Sequence, residues 1–156
     1  MKVTLSHNQN ALEIDGDAVA SLVKEFCSFQ QITCNEVIVH FIDVTSITAL
    51  HSTFFQDPTP TDCITFPIDP PAEETDYCIL GEIFVCPQVA VEYAAAHGDD
   101  PYKEVALYIV HGLLHLLGYR DRTDAERAEM RHQEARAMRH LDTISLAPYP
   151  TCALMK

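Results

Sequence analysis

The sequence predicts an α+β fold: a small mixed β-sheet flanked by about five helices, in a single domain. Three observations predict it. Segments patterned for strands and helices follow one another in the order β-α-β-α-β-β-α-α-α, the order of a mixed sheet with helices packed against it. The chain has 156 residues, 47% of them hydrophobic, enough for one core without cross-links and too apolar for disorder. Pro87, Gly98, Pro101 and Gly118 fall where one pattern gives way to the next. The domain is expected over residues 1–147, with a loose tail at 148–156.

Residues 2–6 alternate as a short strand, and residues 17–31 carry Val19, Leu22, Val23 and Phe26 at helical spacing. Residues 36–42 are rich in β-branched side chains and read as a buried strand, followed by a short helix near 45–55. A loop rich in proline and acids opens at Asp57 and leads into a strand over 62–66. Residues 67–76 are expected not to continue it, because Pro67, Pro70 and Pro71 lack ladder donors. Residues 79–86 form another apolar strand. Pro87 suits the first turn of a helix reaching about residue 96, Gly98 closes it, and Pro101 opens the next. That helix, about 102–117, is strongly apolar and stops at Gly118, a residue suited to a left-handed cap. The last helix begins at Thr123, whose spacing to Glu126 makes a capping box, and ends near Leu141.

Charge excludes some functions. With 23 acidic side chains against 10 basic ones the net charge is −13, so the chain does not coat nucleic acid or an anionic membrane by bulk attraction. The excess is uneven. Residues 1–119 hold 17 acids against Lys2, Lys24 and Lys103, whereas residues 120–142 hold six arginines and six acids. No stretch approaches the roughly 18 apolar residues of a membrane span, and no apolar run follows a basic start. A soluble, cytoplasmic protein is expected. The six cysteines include no C-x-x-C pair and are expected to be reduced, small buried hydrophobes.

The most informative stretch runs from His111 to Asp121, His-Gly-Leu-Leu-His-Leu-Leu-Gly-Tyr-Arg-Asp. Histidines four apart on a helix differ by about 40° around its axis, so both imidazoles leave one face and can reach one ion. Gly118 lets the chain turn back, which can bring Asp121 to the same ion. Two His and one Asp, with a position left open for water, describe a catalytic zinc site better than a closed structural one. The alternative is a pair of core histidines bonded to backbone. A zinc protease motif would place Glu directly after the first His as general base, but Gly112 stands there. What remains is a metal that lowers the pKa of its bound water and polarises a phosphoryl or carbonyl oxygen.

These residues, H-G-x-L-H-L-x-G-Y followed by Met130 and Glu134, resemble the YbeY family of metal-dependent endoribonucleases. Upstream, Thr61-Asp62-Cys63-Ile64-Thr65-Phe66-Pro67 is similar to the family's T-D-V-L-S-F-P strand, and Leu80-Gly81-Glu82-Ile83-Phe84-Val85 to its L-G-D-[IL]-x-[IV] strand. The likeness spans about residues 36–138. It implies a single-domain, zinc-dependent, single-strand-specific endoribonuclease that acts in ribosomal RNA processing, at the 3′ end of 16S rRNA, and in ribosome quality control. Its partners would be ribosomal RNA, ribosomal particles or assembly proteins, with one Zn2+ per chain and neither a nucleotide cofactor nor a membrane. His111 and His115 match the first two metal ligands, and Asp121 stands where most members have a third histidine. The usual Asp before that ligand is Arg120 here. Phe55 occupies the position of an arginine linked to activity in many members.

Arg120 and Arg122 flank the third ligand and are candidates to hold the scissile phosphate in place of that arginine; otherwise they are solvated turn residues paired with Asp121, Asp124 or Glu126. Arg127, Arg131, Arg136 and Arg139 lie among Glu126, Glu129 and Glu134, as on an ion-paired helix surface. Glu104, two turns before His111, either orients a ligand histidine or is a surface carboxylate. Asp62 either orders the loop beside the cleft or forms a turn. The other histidines, at 7, 40, 51, 97, 132 and 140, have no ligand spacing. A second function fits the same residues: a ribosome-assembly factor whose metal is structural and whose surface, not its chemistry, matters.

Overall fold

The computed structural model describes residues 1–71 and 76–148, so residues 149–156 of the expected tail lie outside the described residues. The chain adopts the predicted α+β class, and the described residues form nine elements: β1 (Lys2–Asn8), α1 (Gly16–Phe29), β2 (Glu36–Ile42), α2 (Val44–Phe55), β3 (Cys63–Pro67), β4 (Ile79–Val85), α3 (Pro87–His97), α4 (Pro101–Leu116) and α5 (Asp124–His140). The four strands form one mixed sheet in the order β1-β2-β4-β3. β2 runs parallel to both β1 and β4, and β3 is antiparallel to β4 at the edge.

Side-chain alternation divides the sheet into two faces. Val39 and Phe41 lie opposite Ile83 and Val85, and these fully buried residues meet α1 and α4 in the main core. On the other face Ile42, Ile64, Phe66 and Phe84 pack with Ile47 of α2 in a smaller cluster. α4 runs through the middle of the molecule. Val105, Ile109, Val110, Leu113 and Leu114 on it are all fully buried, each contributing about 1.5–3 kcal/mol through lost apolar exposure. α5 buries only the stripe Met130, Gln133 and Ala137, as expected of a surface helix.

The local signals act largely as the sequence expects, with three differences. Asp15 caps α1 by accepting from the Asp17 and Ala18 N–H groups, and this starts the helix slightly earlier. Thr123 caps α5 by accepting from the Glu126 N–H, but the Glu126 carboxylate accepts from the Arg122 N–H, 3.0 Å, one residue before the position a capping box uses. The third difference is a correction. Pro67 belongs to β3, opposite Gly81, and the ladder runs on as the Ile68 and Asp69 N–H groups donate to Leu80 O and Ile79 O at 3.1 and 2.9 Å. An edge strand has only one partner, so a missing N–H there need not break the ladder. Cys27, Cys34, Cys78 and Cys86 are buried, as expected of small hydrophobes, and Cys63 is half-buried. Among the described residues no helix is long and apolar enough to cross a membrane.

Candidate functional site

The site forms where the last turn of α4 meets the edge of the sheet. A Cβ at Gly112 would stand 2.8 Å from Ile83 Cγ2, 3.0 Å from Cys63 Sγ and 3.2 Å from Thr65 Cγ2. The helix therefore lies flush on β3 and β4 only because position 112 has no side chain. A glutamate there, as in zinc proteases, would have no room. On the outer side of the same helix His111 and His115 stand with their rings at 85° and 4.5 Å between centroids. Gly118 then takes φ +98°, outside the range comfortable for L side chains, and reverses the chain so that Asp121 returns to the histidines.

Each imidazole is oriented through Nδ1. His111 Nδ1–H donates to Glu134 Oε1 at 2.8 Å, and His115 Nδ1–H donates to the Tyr119 carbonyl at 2.9 Å. A carboxylate and a carbonyl only accept, so both rings carry the proton on Nδ1 and leave a lone pair on Nε2. The two Nε2 atoms are 3.0 Å apart, and Asp121 Oδ2 lies 3.6 Å from that of His111 and 3.4 Å from that of His115. Three acceptors thus converge with no donor among them, an arrangement that calls for a cation or a proton. Ligands bonded at about 2.0–2.2 Å around a tetrahedral ion stand about 3.3–3.6 Å apart, close to these separations. The three residues are thus a group that could hold a metal ion. Burial pushes the His111 pKa down, but the hydrogen bond and charge of Glu134, with Asp62 and Asp121, hold it above the usual histidine value. The surroundings of the site therefore favour positive charge.

A cavity of about 570 Å3 opens beside this group, within the range of small-ligand sites. Its walls come from three places: His51 and Phe55 on α2, residues 63–65 and Pro67 on β3, and His115 with residues 118–122 after α4. Arg120 and Arg122 both line it. Their expected pairing with nearby acids does not occur. Asp124 instead pairs with Arg127, which also donates to the Asp121 and Arg122 carbonyls. Among the described residues neither the Arg120 nor the Arg122 guanidinium makes an ion pair or hydrogen bond.

The family profile described as Endoribonuclease YbeY matches residues 4–142. The chain belongs to the endoribonuclease YbeY family. The family's member from Protochlamydia amoebophila is 46% identical over 144 residues, 92% of this chain and 95% of that one. The Chlamydia trachomatis serovar D member is 39% identical over 134 residues, 85% of this chain and 83% of that one. Both carry the name Endoribonuclease YbeY. The solution structure of TM1509 from Thermotoga maritima shares the fold, with a TM-score of 0.62 at 24% identity over 90% of this chain and 89% of that one. Membership bears out the expectation of a nuclease of the hydrolase class in preference to a peptidase.

Against the family motif the structure brings His111, His115 and Asp121 together and sets Arg120 and Arg122 beside them. It does not bring Glu104 to the histidines. Glu104 lies instead beside Tyr108, and burial raises its pKa. The residue that orients His111 is Glu134 of α5, which the sequence offered only as part of a motif spacing. One signal was available: Glu134 neighbours Gln133 and is four residues beyond Met130, both buried, so a carboxylate stands at the border of the helix's inward stripe. His51 also went unnoticed as a cavity residue, because nothing in α2 resembles a ligand spacing.

Proposed function

We propose that this chain is a zinc-dependent, single-strand-specific endoribonuclease that acts in the cytoplasm on ribosomal RNA, at the 3′ end of 16S rRNA and in ribosome quality control. The observation that supports this most is the convergence of His111 Nε2, His115 Nε2 and Asp121 Oδ2 within 3.0–3.6 Å of one another, in a family of endoribonucleases. These three residues would hold one zinc ion. Two imidazoles and a carboxylate suit zinc, and the carboxylate's charge widens the choice toward harder ions. When bound, such an ion supplies a lowered water pKa and polarises phosphoryl oxygens. Glu134 and the Tyr119 carbonyl hold the two rings in the tautomer that presents Nε2. Arg120 and Arg122, whose guanidinium groups have no partner among the described residues, would hold the non-bridging oxygens of the scissile phosphate. With no side chain at Gly112, no carboxylate takes a proton from the nucleophile on that side of the helix.

Elemental analysis of protein purified without added metal, together with cleavage of single-stranded RNA by wild type and His111→Ala, tests the reading. We expect about one zinc per chain, cleavage by wild type, and loss of both in the variant. A 2′,3′-cyclic phosphate on the product would identify the ribose 2′-hydroxyl as nucleophile. Metal-free wild type, or a variant cleaving at the wild-type rate, refutes the reading. Phe55 in the position of the activity-linked arginine and Asp121 in place of the third histidine favour one competing reading, a ribosome-assembly factor whose metal is structural and whose binding surface, not its chemistry, matters. That reading prevails if His111→Ala loses metal yet still restores ribosomal RNA maturation.

A further inference from the structure

α2 ends in two aromatic side chains that the core does not take up, Phe54 at 58% and Phe55 at 55% exposed. Phe54 leans edge-on against Phe66, with 5.0 Å between ring centroids, and Phe66 in turn meets Phe84 edge-on. The sheet therefore braces it. Phe55 turns instead to the cavity, where its ring lies 5.9 Å from that of His51 at 56°. His51 is itself fixed, since its Nδ1–H donates to the Thr59 carbonyl at 2.7 Å and its Nε2 faces Asp57 Oδ2 at 3.8 Å. The backbone locks the end of the helix as well, because Gln56 takes a left-handed φ of 56° and its N–H caps the last turn.

The same cavity carries Arg120 and Arg122, and among the described residues its only acidic lining residue is Asp121 of the proposed metal group. Phosphate-binding groups, a metal group and an exposed aromatic face thus share one cavity on a chain whose overall charge repels polyanions. Electrostatic attraction over a long track cannot hold RNA on such a surface, so the affinity must come from local contacts. An aromatic face supplies one that is indifferent to charge and to base identity, because every nucleobase has a π-face. It also discriminates by strandedness, since a base paired and stacked in a duplex cannot reach it.

We propose that Phe55 is a stacking platform for one unpaired nucleobase next to the scissile phosphate, a positioning residue that seats single-stranded RNA in the cavity. This rests on the reading of the site as that of a ribonuclease. Base–aromatic stacking of ordinary strength corresponds to roughly a tenfold or greater change in affinity on truncation.

The test uses the full chain with its metal and single-stranded oligoribonucleotides, including a set in which one base at a time is replaced by an abasic residue. We expect Phe55→Ala to raise KM about tenfold on the intact oligonucleotide, with metal content and melting temperature unchanged. Phe55→Leu, apolar but without a π-face, should behave like the alanine variant, and Phe55→Trp should restore binding. One abasic position should weaken wild type by a similar factor and leave Phe55→Ala indifferent. Wild-type KM in Phe55→Ala, full function in Phe55→Leu, or the absence of any sensitive abasic position overturns the platform. A wild type that cleaves RNA while showing these results loses only the platform. A wild type that takes up no metal and cleaves no RNA loses the ribonuclease reading beneath it.

Discussion

Replacing Glu134 by alanine separates the orientation of the histidines from their identity. Glu134 Oε1 lies 2.8 Å from His111 Nδ1, the carboxylate being 17% exposed and the imidazole 23%. Alanine leaves a half-buried N–H without its acceptor and frees the ring to turn about χ2, while all three proposed ligands remain in the sequence. Loss of such a carboxylate partner typically weakens metal binding about 10–100-fold, equivalent to about 1.4–2.8 kcal/mol. Glu134→Gln keeps an acceptor oxygen but loses the charge, so its loss should fall at or below the lower end. Glu104→Ala, on the same helix as the histidines but beside Tyr108, should leave affinity unchanged. Competition against a zinc chelator of known affinity measures all three. Wild-type affinity in Glu134→Ala, or an equal loss in Glu104→Ala, would refute the assignment of Glu134 as the group that holds His111.

Gly112→Ala gains about 1 kcal/mol of helix propensity but forces a methyl to within 2.8 Å of Ile83 Cγ2, and overpacking costs about 1–3 kcal/mol. Thermal denaturation should show a net loss of up to about 2 kcal/mol, and Gly112→Glu should not reach a soluble folded state; a Gly112→Glu protein melting with wild type would contradict the close approach of α4 to the sheet. If Arg120 and Arg122 both contact phosphate, the Arg120→Ala, Arg122→Ala double variant should bind single-stranded RNA more weakly, and its plot of log affinity against log salt should be shallower by about 1.4. An unchanged slope together with unchanged cleavage removes them from the site. The Glu36 carboxylate accepts hydrogen bonds from Thr4 and Tyr77, which hold its pKa below the usual value. Its contribution to stability is therefore present above the unfolded-state pKa of about 4.3 and is lost as pH falls through the lower folded value. Melting temperature recorded from pH 6 down to pH 3 should fall less steeply for Glu36→Gln than for wild type, and parallel curves would count against that bond.

The charge balance gains a sharper meaning from the cavity. The acidic excess belongs to residues 1–119, while the arginine-bearing turn after α4 faces the proposed metal group. Affinity for naked RNA should consequently be weak, because only a few phosphates can be neutralised, and should fall with added salt along the modest slope that those few contacts set.

Much of this protein is a consequence of short-range chemistry and was legible in the sequence. Thr123, Pro87, Pro101, Gly98 and Gly118 mark helix ends through bonds and dihedral preferences that span a few residues. The approach of His111, His115 and Asp121 is similarly local: a helical repeat sets two of them on one face, and one glycine turn returns the third within eleven residues. What only the tertiary structure decided depends on which surfaces meet. Glu134 reaches His111 because Met130, Gln133 and Ala137 dock α5 in one rotation about its axis, and rotation is a property of the packed pair of helices. The same holds for the cavity wall of His51 and Phe55, which exists because α2 packs on the opposite face of the sheet from α4 and both end near β3. Gly112 shows the limit most clearly. Its missing side chain can be read from the sequence as a missing base, but the reason for it lies in Ile83, Cys63 and Thr65, whose distance from the helix is set by the packing of the whole domain.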